Sequence, residues 1–280
     1  ASYYQLFSSL CLARCVKELN PSVHVVLGGC LADHCARSLV TEFPFVDYVI
    51  QGEGERRLVT LLRRLQGDAI EPGKGWDGIV SRSALPATGC PCADENTNLQ
   101  DDTFDLEELP PPDYDDYAAL AESLAVLWRI PVQGCRGCWW RGCPVEAERG
   151  EGDSSAGSRS RGCVFCGHNQ RSGYRHKSIS KLAAEMRYLS DRHASTRFRF
   201  VDNGWREDQT VQLSSALAPH ARQYNFIMEL TARLELSDLH ALTAAGCTGV
   251  QVGVEGLSTK YLRRLNKGTN TMMNLRAMRH

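Results

Sequence analysis

The sequence has almost no net charge: 32 lysines and arginines face 33 aspartates and glutamates across 280 residues, a formal balance of −1. Without a basic excess there is no field to favour nucleic acid or an anionic membrane, so a small molecule or peptide is the more natural partner. No apolar run reaches the roughly 18 residues that a spanning helix needs. The first residues, Ala1-Ser2-Tyr3-Tyr4, lack the basic and apolar regions of a secretory signal. These absences set the expectation of a cytoplasmic protein with no membrane and no nucleic-acid partner. At 42% hydrophobic and 23% charged residues, the composition is that of a folded globular chain.

Cysteine, by contrast, is plentiful, with 12 in the chain. In a reducing compartment clustered cysteines more often bind metal or do chemistry than form disulfides. Cys135, Cys138, Cys143, Cys163 and Cys166 crowd into one stretch. Cys11, Cys15, Cys30, Cys35 and Cys247 fall within predicted elements or at their ends, where free cysteine packs as a small apolar residue.

Hydrophobic periodicity predicts a helix over residues 4–19, a strand over 23–27 ending at Gly28-Gly29, and a helix over 32–42. A strand over 46–50, a turn carrying Gly52, Glu53 and Gly54, and a helix through Leu65 follow. This is an alternating α/β unit with parallel strands, assigned to residues 1–68. Glycines at strand ends mark where open α/β sheets bind nucleotide-like cofactors, and they also make ordinary tight turns. Residues 69–124 lose periodicity and read as a linker, with a short hairpin near 78–82 and the run Pro110-Pro111-Pro112. A second strand–helix series occupies 125–280. Its strands are predicted at 125–132, 198–201, 226–230 and 250–254, and its helices at 180–190, 210–218, 237–245 and 258–265, with Gly246 closing a helix. Repeated strand–helix units predict a barrel or part of one. With about four strands in the second series and a helix opening the first, the expectation is of a chain truncated at both ends.

The cysteine spacing admits two metals. Cys135-x-x-Cys138 and Cys163-x-x-Cys166 are two pairs with 24 residues between Cys138 and Cys163, near the spacing that closes a tetrahedral zinc site in a structural or interaction module. Alternatively Cys138, Cys163 and Cys166 hold three irons of a cubane, leaving the fourth open to a substrate ligand. Zinc ribbons are usually small and self-contained. Here the cysteines follow a strand of a strand–helix series, where barrel enzymes keep their chemistry, and this context favours iron.

Residues 130–140, the run Cys163-Val164-Phe165-Cys166-Gly167-His168-Asn169-Gln170, and Tyr174-Arg175-His176-Lys177-Ser178 resemble the cobalamin-dependent radical S-adenosylmethionine enzymes that mature ribosomally made peptides, many of them C-methyltransferases. Val26-Leu27-Gly28-Gly29 and Gly52-Glu53-Gly54-Glu55 look like their cobalamin-binding domain, and residues 109–117 like their linker. Val201-Asp202-Asn203, Gln251-Val252-Gly253-Val254-Glu255 and Asn266-Lys267-Gly268 look like their barrel. The resemblance implies an α/β fold, a partial Rossmann-like cobalamin-binding domain followed by a truncated radical S-adenosylmethionine partial TIM barrel. It also implies a [4Fe-4S] cluster on Cys138, Cys163 and Cys166, S-adenosylmethionine and cobalamin as cofactors, a precursor peptide as substrate, and an electron donor such as flavodoxin or ferredoxin. Reductive cleavage of S-adenosylmethionine would give a 5′-deoxyadenosyl radical. Phe165, Gly167, Asp202, Glu229, Gln251 and Glu255 are then expected near S-adenosylmethionine, and Gly28, Gly29, Gly52, Glu53 and Gly54 near the corrinoid.

Two features depart from that pattern. A short loop usually joins the first two cluster cysteines, whereas here residues 141–161 form an Arg-, Gly-, Ser- and Glu-rich insertion. Loop-closure entropy grows slowly with length, so the insertion adds on the order of 1 kcal/mol to bringing the thiolates together. Cys143, inside it, is an alternative first ligand. Nor does any Asp-x-His-x-x-Gly run supply an axial histidine, and His24 and His34 read as ordinary histidines. An inactive fragment of such an enzyme is the third reading.

Overall fold

The computed structural model describes residues 3–29, 32–67, 77–84, 104–140, 162–166, 173–218 and 224–280. Cys30, Gly167 and the whole 141–161 insertion with Cys143 lie outside them. The chain divides into two compact units, residues 1–104 and 105–280.

In the first unit, α1 (Leu6–Leu19) buries Leu10 and Ala13. Next come β1 (Val26–Leu27), α2 (Ala32–Glu42), β2 (Tyr48–Ile50), α3 (Gly54–Leu65) and β3 (Ile79–Ser81). β2 is central, parallel to β1 and antiparallel to β3. The predicted strand at 23–27 shortens to two residues. The backbone N–H of Val25 is taken by the Asp47 carboxylate at 2.6 Å, so that end of the strand is held by a side chain instead of a ladder. β3 arises inside the stretch read as a linker and pairs with β2 instead of forming its own hairpin. Its approach is fixed by Arg57 on α3, which is buried and donates Nε to the Asp77 carbonyl at 2.7 Å and Nη1 to the Glu53 carbonyl at 3.0 Å. Ala36, Leu39, Val40, Val46 and Val49 form one apolar core, and Ile50, Leu61 and Ile79 another.

The second unit opens with α4 (Asp115–Ser123), within the predicted linker, followed by β4 (Ile130–Val132), β5 (Cys135–Arg136), β6 (Arg175–His176), α5 (Ile179–Arg192) and β7 (Arg197–Phe200). Then come α6 (Thr210–Leu217), β8 (Asn225–Thr231), α7 (Leu236–Ala244), β9 (Cys247–Gly253), α8 (Thr259–Arg264) and α9 (Thr271–Arg279). β4, β7, β8 and β9 form a parallel sheet in that order, and β5 and β6 a separate antiparallel ribbon. Along β8 burial alternates: Phe226, Met228 and Leu230 enter the core, while Ile227 and Glu229 take the opposite face. α5 meets that core through Leu182, Met186 and Leu189, spaced as one helical face, and is capped by Ser178 Oγ accepting from the Lys181 N–H. Gly246 ends α7 at φ +97°, and a Cβ there would lie 1.9 Å from the Tyr224 carbonyl oxygen, so both conformation and space require glycine. Among the described residues no helix is long and apolar enough to cross a membrane.

Candidate active site at the strand C-termini

The parallel strands deliver side chains to a cavity of about 210 Å³ at their C-terminal ends. Glu229 and Thr231 come from β8, Gln251 and Gly253 from β9, and Asn203 and Gly204 from the segment after β7. Cys138, Cys163, Phe165 and Cys166 line the same cavity, with Trp139, Trp140, Arg233, Glu255 and Lys267. Of the residues expected near S-adenosylmethionine, the fold therefore brings together Phe165, Glu229, Gln251 and Glu255, beside the three expected cluster cysteines.

Electrostatics show the thiols to be neighbours. Burial pushes the Cys163 thiol above its usual range, the Lys267 ammonium pulls it back, and Cys166, Cys138 and Glu255 push it up again. Among the described residues no three Cys, His, Asp or Glu side chains close on a single point as one ion would require. Thiolates that each bind a different iron of a cubane stand further apart than thiolates sharing one zinc, so three such cysteines need not converge on a point.

Cys135 does not belong with them, and this corrects the four-cysteine zinc arrangement. It is buried in β5, and its N–H donates to Asp202 Oδ1 at 2.7 Å. Burial, followed by the Asp202 carboxylate, drives its thiol far above the ordinary range. Cys135 does not line the cavity that Cys138, Cys163 and Cys166 share, so the structure does not favour a site built on all four.

Asp202 is also placed differently from the expectation. It is 1% exposed and absent from the cavity wall, with Oδ1 and Oδ2 accepting from the Gly134 N–H at 2.9 and 3.0 Å as well as from Cys135. It fixes the backbone leading into Cys138 and does not face the cavity. Immediately afterwards, Gly204 lies so close to that loop that a Cβ would stand 2.6 Å from the Cys138 Cα.

Glu255 takes a left-handed backbone conformation, φ +53°. This strained geometry is held by Asn274, whose Nδ2 donates to the carbonyls on either side, Val254 at 2.8 Å and Gly256 at 2.7 Å. The Glu255 carboxylate pairs with Lys267 Nζ at 2.8 Å, and that ammonium stands 5.7 Å from the Phe165 ring centroid. Trp139 and Trp140 stood in the 130–140 stretch with no role given to them, and sequence patterns did not single out Arg233 or Asn274. The Asn266-Lys267-Gly268 run, the Gln251 to Glu255 run and the 130–140 stretch were the signals pointing toward this wall.

In the first unit, Gly28 and Gly29 leave β1 and Gly52 leaves β2, at the same end of two parallel strands. Gly29 and Gly52 have φ of +97° and +70°. Gly54 opens α3 with free space where a side chain would begin. Glu53 has a structural task, its Oε2 accepting from the Phe104 N–H at 2.9 Å. His24 precedes β1, at the other end of the sheet from these glycines, and meets Tyr48 edge-on at 5.9 Å. His34 is exposed on α2.

A parallel sheet presenting cysteines and carboxylates at its strand C-termini, preceded by a small glycine-edged α/β sheet, defines the class: a mixed α/β fold shared with cobalamin-dependent radical S-adenosylmethionine enzymes. No protein-family profile matches the chain. Among solved structures, the cobalamin-dependent S-adenosylmethionine radical enzyme OxsB, with aqua-cobalamin and S-adenosylmethionine bound, superposes at a TM-score of 0.66 and 19% identity, over 99% of this chain and 37% of that one. The radical S-adenosylmethionine methyltransferase TsrM from Kitasatospora setae, with tryptophan substrate and a cofactor analogue bound, gives 0.66 and 15% over 98% and 50%. An uncharacterised methyltransferase of Pyrococcus horikoshii is 22% identical over 98% of this chain and 54% of its own length. The chain thus spans about half the length of the curated relatives it matches.

Proposed function

We propose that this chain is the core of a radical S-adenosylmethionine enzyme, with Cys138, Cys163 and Cys166 holding a [4Fe-4S] cluster. The observation that carries the proposal is the gathering of these three thiols with Phe165, Glu229, Gln251 and Glu255 at the C-terminal ends of a parallel sheet, while Cys135 is excluded. The donor set fits: thiols suit iron, and carboxylates and an amide suit the ammonium and hydroxyl groups of S-adenosylmethionine. When bound, these groups supply radical chemistry by reductive cleavage, and a corrinoid would add a transferable methyl group. Trp139, Trp140 and Phe165 give the cavity apolar lining. Lys267, paired with Glu255, holds positive charge beside the thiolates.

The glycine-edged end of the first sheet is the proposed corrinoid site, with Gly28, Gly29, Gly52 and Gly54 allowing close backbone approach. The proposed reaction is methylation of a carbon on a ribosomally made peptide in the cytoplasm, with electrons from a flavodoxin- or ferredoxin-like donor. Its support is the motif resemblance, together with the methyltransferases among the similar proteins. TsrM, whose substrate is tryptophan, makes a free amino acid the substrate to compare first.

The test is anaerobic reconstitution of wild type and Cys163→Ala, with iron, sulfide, zinc and cobalt analysis and assay for 5′-deoxyadenosine and S-adenosylhomocysteine. Wild type should be brown, carry about four irons, and lose them in the variant. One equivalent of zinc without iron would end the radical reading.

A further inference from the structure

Building on the reading that Cys138, Cys163 and Cys166 hold the cluster, we propose that the turn after α8, residues 265–268, is the positioning element that sets both cysteine loops relative to each other. Each loop is fastened to this one turn. From the first loop, Trp140 Nε1 donates to the Asn266 carbonyl at 2.7 Å. From the second, the Val164 N–H donates to the Leu265 carbonyl at 3.0 Å, and Asn266 Nδ2 donates to the Gly162 carbonyl at 2.9 Å. Asn266 is therefore bonded to both loops at once, through its backbone to one and its side chain to the other.

The turn's own geometry makes this possible. Asn266 is buried and left-handed at φ +51°, a conformation that asparagine tolerates better than most residues. Gly268 has φ +74°, and a Cβ there would lie 2.2 Å from the Trp140 indole. The ring thus lies flush on a position where no other residue fits. Arg233 closes the arrangement: its guanidinium stands 4.4 Å from the Trp140 ring centroid and donates to the Gly268 carbonyl.

The energetic reason for such a device lies in the chain between the loops. A cluster needs its three thiolates held in a fixed relation, and 24 residues separate Cys138 from Cys163 in sequence, so bringing them together carries a loop-closure cost that contacts elsewhere must offset. Fastening both loops to a third element meets that cost before metal arrives. The turn acts through the loops and touches no reacting atom, so its residues are positioning residues.

The experiment compares wild type, Asn266→Gly and Gly268→Ala after anaerobic reconstitution. Asn266→Gly keeps the left-handed backbone and removes the bond to Gly162, whereas Gly268→Ala drives a methyl group into the Trp140 ring. Readouts are iron and sulfide retained against a chelator, the electron paramagnetic resonance spectrum of the reduced protein, and far-ultraviolet circular dichroism as a fold control. Both variants should retain wild-type helicity, bind the cluster roughly tenfold more weakly, and show an altered resonance spectrum. If Gly268→Ala loses helicity, Asn266→Gly decides alone. A folded Asn266→Gly protein with wild-type iron retention and spectrum overturns the role of the turn. Wild type that takes up no iron overturns the cluster reading instead, and this inference with it.

Discussion

Asp202 illustrates how a single carboxylate can change meaning between sequence and structure. Its place after a strand suggested a group facing a cofactor. Its burial and its bonds to the Gly134 and Cys135 N–H groups make it part of the scaffold behind Cys138. Burial raises its pKa from 3.8 to about 6, with the Cys135 and Gly134 N–H groups and Lys177 opposing the shift. Because the folded value lies above the unfolded one, ionisation costs the folded state more. The group's favourable contribution is complete below about pH 4, declines as pH rises, and levels off above about 6. The stability difference between wild type and Asp202→Asn should therefore shift against wild type by roughly 3 kcal/mol across that window. Denaturant titrations at several pH values measure it, and a pH-independent difference would refute the assignment.

At the scale of elements, glycine positions separate steric need from conformational preference. Gly246 and Gly67 have nearly the same positive φ, +97° and +94°, but a Cβ at Gly246 collides with Tyr224 whereas Gly67 faces open space. Gly67→Ala should cost about 1 kcal/mol, and Gly246→Ala clearly more because the backbone of β8's approach must also move. Equal losses in chemical denaturation would show that the contact is relieved cheaply. The alternating series was legible in the sequence because α5 and strands β7 and β8 carry clear periodicity and Gly246 marks the end of α7. β5 and β6 were not legible and the partner of β3 was misread, since these short strands carry no apolar run such as Val46 to Ile50 and owe their existence to the strands they pair with. The same holds for the site: the cysteine pair and the residues at strand ends are local signals, but Trp140 on Gly268 and Asn274 around Glu255 are contacts between distant segments. Cys135 entered only the zinc alternative, and there because spacing records sequence separation and says nothing about which way a thiol points.

For the whole molecule, the two units carry separate apolar cores, two small ones in the first unit and one between the parallel sheet and its helices in the second. Leu61, fully buried in the first unit, has no part in the second unit's core. Leu61→Ala should lower stability by about 2–5 kcal/mol, seen by far-ultraviolet circular dichroism, while iron content after reconstitution stays at the wild-type level. Iron falling in parallel would mean that both units fold as one. The bond between Trp140 and Asn266 joins residues 126 positions apart, and that from Asn266 to Gly162 spans 104. During synthesis, then, all three cysteines leave the ribosome long before the segment that fixes their loops. If these thiols hold the proposed cluster, they are open to oxidation and to whichever soft metal arrives first until residue 268 has emerged, and the proposed turn would favour loading only after that point.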